Sequence, residues 1–186
     1  MMNTEKRISH TTWTSVAVVI CMFGGLALWM YDGARELNQL HDQQVKHWAS
    51  IEQLFRERTK GLLEIRTIIK KEAPYETAII SELAYAQVMM EGARNRNMQI
   101  EAYNESELTR VSLPVFMYNI ERLNAHPRLG GMVESLSVLA TRIDKERFDY
   151  NLGVRAYNAR LLIFPTNLTA LLLRIEPLPL FRLRGE

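Results

Sequence analysis

The sequence predicts an all-α protein in which an N-terminal transmembrane helix continues into an antiparallel up-and-down four-helix bundle. An uncharged apolar run of membrane-spanning length lies near the N-terminus. Beyond it, apolar residues recur at intervals of three and four along most of the chain, and no segment alternates as a strand would. Helices joined by short turns, without strand candidates, favour a bundle of this topology.

The composition limits both the size of the protein and the classes of partner. Its 186 residues, 47% of them hydrophobic, leave room for one membrane segment and one domain with its own core. The 23 basic residues nearly balance the 21 acidic ones, so no nucleic-acid partner is expected. Cys21 has no second cysteine to pair with and is interpreted as an apolar filler. We expect a short tail at 1–10, a transmembrane helix at 11–31, a bundle at 32–165 and an apolar, basic tail at 166–186.

The apolar run at residues 11–31 contains no charged side chain. It matches the ~20 residues that a helix needs to cross a bilayer. Trp13 at one end, and Trp29 with Tyr31 at the other, are predicted interfacial anchors. The run is longer than the apolar part of a signal peptide and no small-x-small site follows, so we expect the helix to remain uncleaved.

The basic residues around the span do not decide its orientation. Lys6 and Arg7 precede it, and Arg35 and Lys46 follow it. The two sides are therefore equal by the positive-inside comparison.

A first helical seam follows the span. Its members step by three and four residues, as in a coiled-coil a/d seam: Trp48, Ile51, Phe55, Arg58, Leu62, Ile65 and Ile69. No residue clearly stops the helix before Lys71, so the transmembrane helix is expected to run on into the domain and to end at Pro74.

Two further helices are predicted in the middle of the chain. The second, at 74–91, is expected to bury Ile79, Ile80, Leu83, Ala86 and Met90. Residues 92–107 are rich in polar side chains and predict a loop. Ser106 is the predicted N-cap of a third helix, which Pro114 kinks or restarts. The predicted buried face of this helix contains Leu108, Val111, Phe116, Ile120 and Leu123.

The fourth helix has the most regular pattern. His126-Pro127 and Gly130-Gly131 mark the turn before it, and Pro165 closes it. Its predicted seam steps by four and three without a slip: Leu136, Ala140, Ile143, Arg147, Tyr150, Val154, Tyr157, Leu161 and Phe164.

Two arginines interrupt these seams. Arg58 and Arg147 stand where leucine is expected, and a buried guanidinium needs an acceptor. Glu52, Glu76 and Glu82 are the candidate acceptors, and spacing does not choose among them.

Two Tyr-Asn pairs, Tyr150-Asn151 and Tyr157-Asn158, lie one heptad apart on the fourth helix. The rings fit the seam with their hydroxyls at its edge, and the amides flank it, where they can bond to neighbouring helices. Such a polar stripe fixes helix register and pairing. We therefore interpret the arginines and the two pairs as a structural polar seam.

Several motifs in the chain match those of a known family. A Trp-x-x-Ile-Glu-x-x-Leu-Lys-Arg-Arg motif is matched by Trp48, Ile51, Glu52, Phe55, Arg56 and Arg58. Shorter matches are Tyr75-Glu76, Ile80, Leu83, Ala86 and the turn His126-Pro127-Arg128-Leu129. The most specific match comprises Ile143, Arg147, Tyr150-Asn151, Tyr157-Asn158, Phe164-Pro165 and Asn167. In these motifs the chain resembles the LemA family of bacterial membrane proteins.

The chain also departs from the family pattern. Residues 59–66, TKGLLEIR, lack the family's proline and asparagine, and Leu139-Ala140 replace its Thr-Glu. The aromatic-rich terminus becomes LPLFRLRGE. With these departures the chain resembles a divergent member of the family. The magnetosome-associated branch is a candidate for it.

The resemblance implies a non-enzymatic protein without a cofactor. It implies a single-pass protein of the bacterial cytoplasmic membrane, or of an organelle membrane derived from it. The implied partners are the lipid bilayer and either a second copy or another membrane protein.

Catalytic and metal constellations are weak in the sequence. His41 and His47 are six residues apart, which places them off one helix face, and His126 has no Glu-x-x-His partner. Cys21 lies in the span, and no nucleophile-elbow or phosphate-loop motif is present. We therefore expect neither a metal site nor catalytic residues.

The tail at 166–186 combines leucines with arginines. It could lie on lipid, cap the bundle or dock a partner, and Pro177 with Pro179 prevent one continuous helix. Packing or partner contact is the favoured interpretation.

Three hypotheses for function follow. The first is a membrane scaffold, and the second is a membrane-biogenesis or remodelling factor of a magnetosome-like branch. The third is a small-ligand sensor or hydrolase with a site near Arg58 and Arg147.

Overall fold

Every regular secondary-structure element of residues 10–185 is a helix. A computed structural model describes the backbone of these residues and the side chains of residues 13–185. The helices are α1 (His10–Glu72), α2 (Thr77–Gly92), α3 (Arg96–Tyr118), α4 (Glu121–Asn124), α5 (Leu129–Arg160) and α6 (Thr166–Leu173). No strand occurs in this part of the chain, so the predicted fold class is confirmed at this level. Lys6 and Arg7 lie outside the described residues.

Helix α1 is unbroken and long and apolar enough, near the N-terminus, to cross a membrane. None of its most apolar window is buried, which is how a lipid-facing helix differs from a core helix. The predicted anchors Trp13, Trp29 and Tyr31 are all exposed on it. This helix is therefore a candidate membrane span and fits membrane association.

The predicted seam of α1 is buried at every position from Trp48 to Ile69. The same spacing extends back along the helix to Gln44 and Leu37, which are also buried. The described chain divides into two compact units, one comprising residues 10–41 with 156–177 and the other residues 42–155 with 178–185. The divisions fall within α1, within α5 and between Pro177 and Leu178.

The unit of residues 42–155 and 178–185 contains two core clusters. The first draws on five helices, with members Leu62, Ile65, Ile69, Ile79, Leu83, Ala86, Leu113, Met117, Leu123, Leu129, Val133 and Leu136. The second is rich in aromatic residues and includes Trp48, Phe55, Tyr103, Tyr150 and Phe181. Its last member comes from the C-terminal tail.

The predicted loop at 92–107 is wrong, because α3 begins at Arg96. Asn95 is its N-cap and accepts a hydrogen bond from Met98 N at 2.9 Å. Ser106, the predicted N-cap, is instead buried in the middle of the helix. Pro114 lies within α3, on an exposed position, and does not end it.

The predicted buried face of α3 is also wrong at its first two members. Leu108 and Val111 are 54% and 60% exposed. The helix buries Ile100, Tyr103, Ser106, Thr109, Leu113 and Met117 instead. Ser106 and Thr109 on this face are polar, so the apolar residues alone do not show its helical spacing. Leu123 is buried as expected, but it lies on the separate short helix α4.

Helix α5 buries the predicted seam from Leu136 to Tyr157, with Arg147 half-buried. The helix ends at Arg160, so Leu161 and Phe164 lie in the following turn, where Phe164 is exposed. Within the predicted tail, residues 166–173 form α6.

Candidate functional site

Arg58, a charged member of the predicted seam, has no exposed surface. Its Nε donates to Ser106 Oγ at 2.9 Å, and its Nη2 donates to Ser106 O and to Glu107 Oε2, each at 2.9 Å. The guanidinium carbon lies 5.0 Å from the centre of the Tyr103 ring. Arg58 thereby joins α1 to the middle of α3.

Two features of the surroundings of Arg58 act on its pKa in opposite directions. Burial lowers the pKa of Arg58, whereas the carboxylate of Glu107 acts to raise it. Glu107 also forms an ion pair with Arg110, whose pKa this hydrogen bond raises. Burial raises the pKa of Tyr103 well above its usual range, and the negative charge of Glu107 adds to this. One carboxylate therefore pairs with two guanidinium groups beside a neutral phenol.

The acceptors of Arg58 differ from the three that the sequence suggested. Glu52 accepts hydrogen bonds from Trp48 Nε1 and Gln99 Nε2, both at 3.1 Å. Glu76 precedes the first residue of α2, and Glu82 is exposed on that helix. The true acceptors were missed because their segment was predicted to be a loop.

Arg147 has a different environment from Arg58. Its side chain is 17% exposed, and its Nε lies 3.4 Å from Asp144 Oδ1 one turn earlier on α5. Asp144 is itself about half exposed. Arg147 therefore lies at the edge of the core rather than within it.

The first Tyr-Asn pair binds the C-terminal segment, residues 178–183, rather than a neighbouring helix. Tyr150 Oη donates to Pro179 O at 2.9 Å. Asn151 Nδ2 donates to Phe181 O at 2.7 Å, and Phe181 N donates to Asn151 Oδ1 at 2.8 Å. Burial raises the pKa of Tyr150, which keeps this donor protonated.

These bonds position Phe181, which has no exposed surface. Its ring centre lies 5.5 Å from that of Tyr103, 6.0 Å from that of Phe55 and 6.1 Å from that of Trp48. Packing or partner contact was the favoured interpretation of the tail, and this segment packs into the core. We call Asn151, Tyr150 and Phe181 the C-terminal clamp.

The second pair lies in the other compact unit. Tyr157 is buried with its ring centre 5.9 Å from that of His41, and burial raises its pKa. Asn158 is half-buried and lines a cleft with Ala170 and Pro177. In the same unit, the ring of Trp29 packs edge-on against Phe164, with 5.1 Å between centres.

The histidines considered for a metal site have other contacts. His47 Nδ1 lies 3.4 Å from Glu146 Oε2, and His126 Nδ1 accepts a hydrogen bond from Arg128 N at 3.3 Å. Across residues 10–185, no three His, Cys, Asp or Glu side chains form a group that could hold a metal ion.

A groove of about 700 Å³ runs beside α3 and the C-terminal segment. It is lined by Leu108, Val111 and Val115 of α3 and by Leu183 and Arg184 near the C-terminus. An ion pair from Arg184 to Glu105 and a hydrogen bond from Asn104 Nδ2 to Arg182 O at 3.3 Å hold the C-terminal residues against α3. Leu108 and Val111 were predicted to be buried, so the sequence did not indicate this surface.

These features define an all-helical protein with one candidate membrane span and a helical domain completed by its own C-terminus. The LemA family model matches residues 47–186, and the chain belongs to the LemA family. The resemblance seen in the sequence is confirmed, whereas the magnetosome-associated branch stays a prediction. A comparison with curated proteins gives no match.

Proposed function

We propose that this chain is a non-enzymatic, single-pass protein of the bacterial cytoplasmic membrane that serves as an interaction scaffold. Its domain binds an apolar helix of a partner in the groove on α3. In this proposal α1, α2, α3 and α5 form an antiparallel four-helix bundle, since each contributes to the same core cluster.

The exposed face of α3 carries the proposal. Leu108, Val111, Val115 and Tyr118 are spaced by three, four and three residues and are all exposed. The same spacing buries the seams of α1 and α5 against other helices. Contiguous apolar surface of this kind marks interaction sites, because its burial is favourable by roughly 25 cal/mol per Å².

The buried polar groups support an interaction role over a chemical one. The Nε and Nη2 donors of Arg58 are engaged by Ser106 and Glu107, and the Tyr150 hydroxyl is engaged by Pro179. These groups hold the domain together, as polar residues in helical seams commonly do. An anchored domain with an apolar groove is suited to hold another protein at the membrane.

Photo-crosslinking in native membranes tests the proposal. A benzoylphenylalanine at Val111 should give a discrete adduct, whereas the same group at the exposed Tyr75 should give none. An adduct of twice the chain's mass identifies a second copy, and another mass identifies another protein. Equal yields at the two positions, or extraction of the chain from membranes by alkaline carbonate, would contradict the proposal.

A further inference from the structure

Helix α6 buries polar residues and exposes leucines, which is the reverse of the arrangement expected for a helix in water. Thr166, Thr169 and Ala170 are buried, whereas Leu171 and Leu172 are 75% and 74% exposed. A surface helix of a soluble domain places its leucines inward and its polar residues outward. Helices that face lipid do the reverse, with small and hydroxyl residues at the protein contact.

Contacts within the same compact unit place α6 beside the end of the candidate span. The Thr166 hydroxyl lies 3.0 Å from where a β-carbon on Gly33 would be, so the backbone of α1 is closely approached there. Phe164, two residues before α6, packs against Trp29. Trp29 is one of the predicted interfacial anchors, so its partner ring lies at the same depth.

An ion pair marks the water side of this arrangement. Arg160 Nη2 lies 2.5 Å from Glu36 Oε2. Glu36 is seven residues beyond Trp29, or about 10 Å along α1. Between Arg160 and Phe164 the chain therefore passes from the aqueous side to the level of Trp29.

The apolar surface of α6 continues into the turn before it. Leu162, Ile163 and Phe164 are all exposed and precede α6 without a charged residue. Together with Leu168, Leu171 and Leu172 they form an exposed apolar surface, of which Phe164 contacts the anchor Trp29. Interfacial segments bury such a face about 5–10 Å into the boundary between headgroups and acyl chains.

We propose that residues 162–173 form a second membrane contact, seated in the interfacial layer of the bilayer beside α1. The ligand is the lipid surface itself, recognised by its apolar boundary. This inference rests on the proposed anchoring by α1 and adds a lipid-binding face to it.

Nitroxide depth measurements on the full chain in phosphatidylcholine vesicles test the inference. Cys21 of the native chain is exposed on the candidate span and reports insertion when it is labelled. Leu172→Cys and Tyr75→Cys, each combined with Cys21→Ser, report α6 and a water-exposed control. Collision with oxygen relative to a nickel chelate should be several-fold higher at Cys21 and at position 172 than at position 75.

The outcomes separate this inference from the proposed function. If Cys21 resembles lipid while position 172 resembles position 75, anchoring stands and the second contact is wrong. If position 172 is shielded from both collision reagents, a protein covers α6 and the inference is also overturned. If Cys21 itself resembles position 75, anchoring by α1 is contradicted.

Discussion

Asn151 holds the main chain of Phe181 through both ends of its amide, at 2.7 Å and 2.8 Å. This is the pairing that one residue of a strand makes with another, formed here by a side chain on a helix. It directs an extended segment across α5 and places an aromatic ring in the core. In this chain the first Tyr-Asn pair thus has its partner in the protein's own C-terminal segment.

Asn151→Asp should weaken the clamp. A carboxylate oxygen would replace the amide donor and face Phe181 O without a proton between them. We expect a loss of roughly 1–3 kcal/mol in the free energy of unfolding, measured in detergent by denaturant titration. Asn38→Asp, at an exposed position on α1, is the matched control and should change stability little. Equal stability of the two variants would show that the amide bonds do not hold the segment.

The two arginines of the seam should differ in their effects on stability. Arg58→Ala removes a buried guanidinium from Ser106 and Glu107 and is expected to cost roughly 3–5 kcal/mol. Arg58→Met, which keeps length and apolar packing, should cost less. Arg147→Ala should also cost less than Arg58→Ala, since Arg147 is partly exposed. An equal loss for both alanine variants in denaturant titrations would contradict this ranking.

The sequence predicted helices well where large apolar residues form their seams. Along α1 and α5 these residues repeat without a gap, so periodicity alone located the buried faces. On α3 the buried face includes Ser106 and Thr109, while Leu108 points outward. Apolar periodicity therefore predicted the wrong face of this helix. Periodicity detects a face only when its residues differ in polarity from those around them.

The sequence predicted which residues make buried polar contacts, but it did not predict which groups they contact. A buried arginine requires an acceptor, and Arg58 has one in Glu107, 49 residues away along the chain. Spacing within a helix carries no information on which helix packs against it. The partner of Asn151 is a backbone group, and the pattern of side chains in a sequence does not identify backbone partners.

Buried tyrosines should make the domain sensitive to alkaline pH. Burial raises the pKa of Tyr103 and of Tyr150 above the value of about 10 for an unfolded chain. The folded state thus holds these protons more tightly, so this stability is fully present below about pH 10 and is lost as pH rises above it. Tyr103→Phe should flatten the decline in unfolding free energy between about pH 10 and 11, by at most about 1.4 kcal/mol per pH unit.

The control for this titration is Tyr75→Phe, on an exposed tyrosine. Tyr103→Phe keeps the ring that stacks on Phe55 at 5.2 Å between centres, so its effect reports the phenol proton. An unchanged slope in Tyr103→Phe would mean that the phenol does not titrate with unfolding.

We expect that only glycine fits at position 153 of α5, because the side chain of Gln44 packs closely against it. A β-carbon there would overlap the side-chain amide of Gln44, which is buried. Gly153→Ala is expected to lower the free energy of unfolding by roughly 1–3 kcal/mol, despite alanine's better helix propensity. Gly131→Ala, where nothing lies within 4 Å, should be neutral or stabilising. Combining Gly153→Ala with Gln44→Ala should recover part of the loss, and no recovery would argue against the overlap.

The central claim is that the C-terminal segment completes the core of the LemA domain. The free energy of unfolding of Phe181→Ala, compared with Tyr75→Ala in the same detergent, tests it most directly. We predict a loss of roughly 3–5 kcal/mol for Phe181→Ala, as for other buried aromatic rings. A change within about 0.5 kcal/mol, typical of surface substitutions, would contradict the claim.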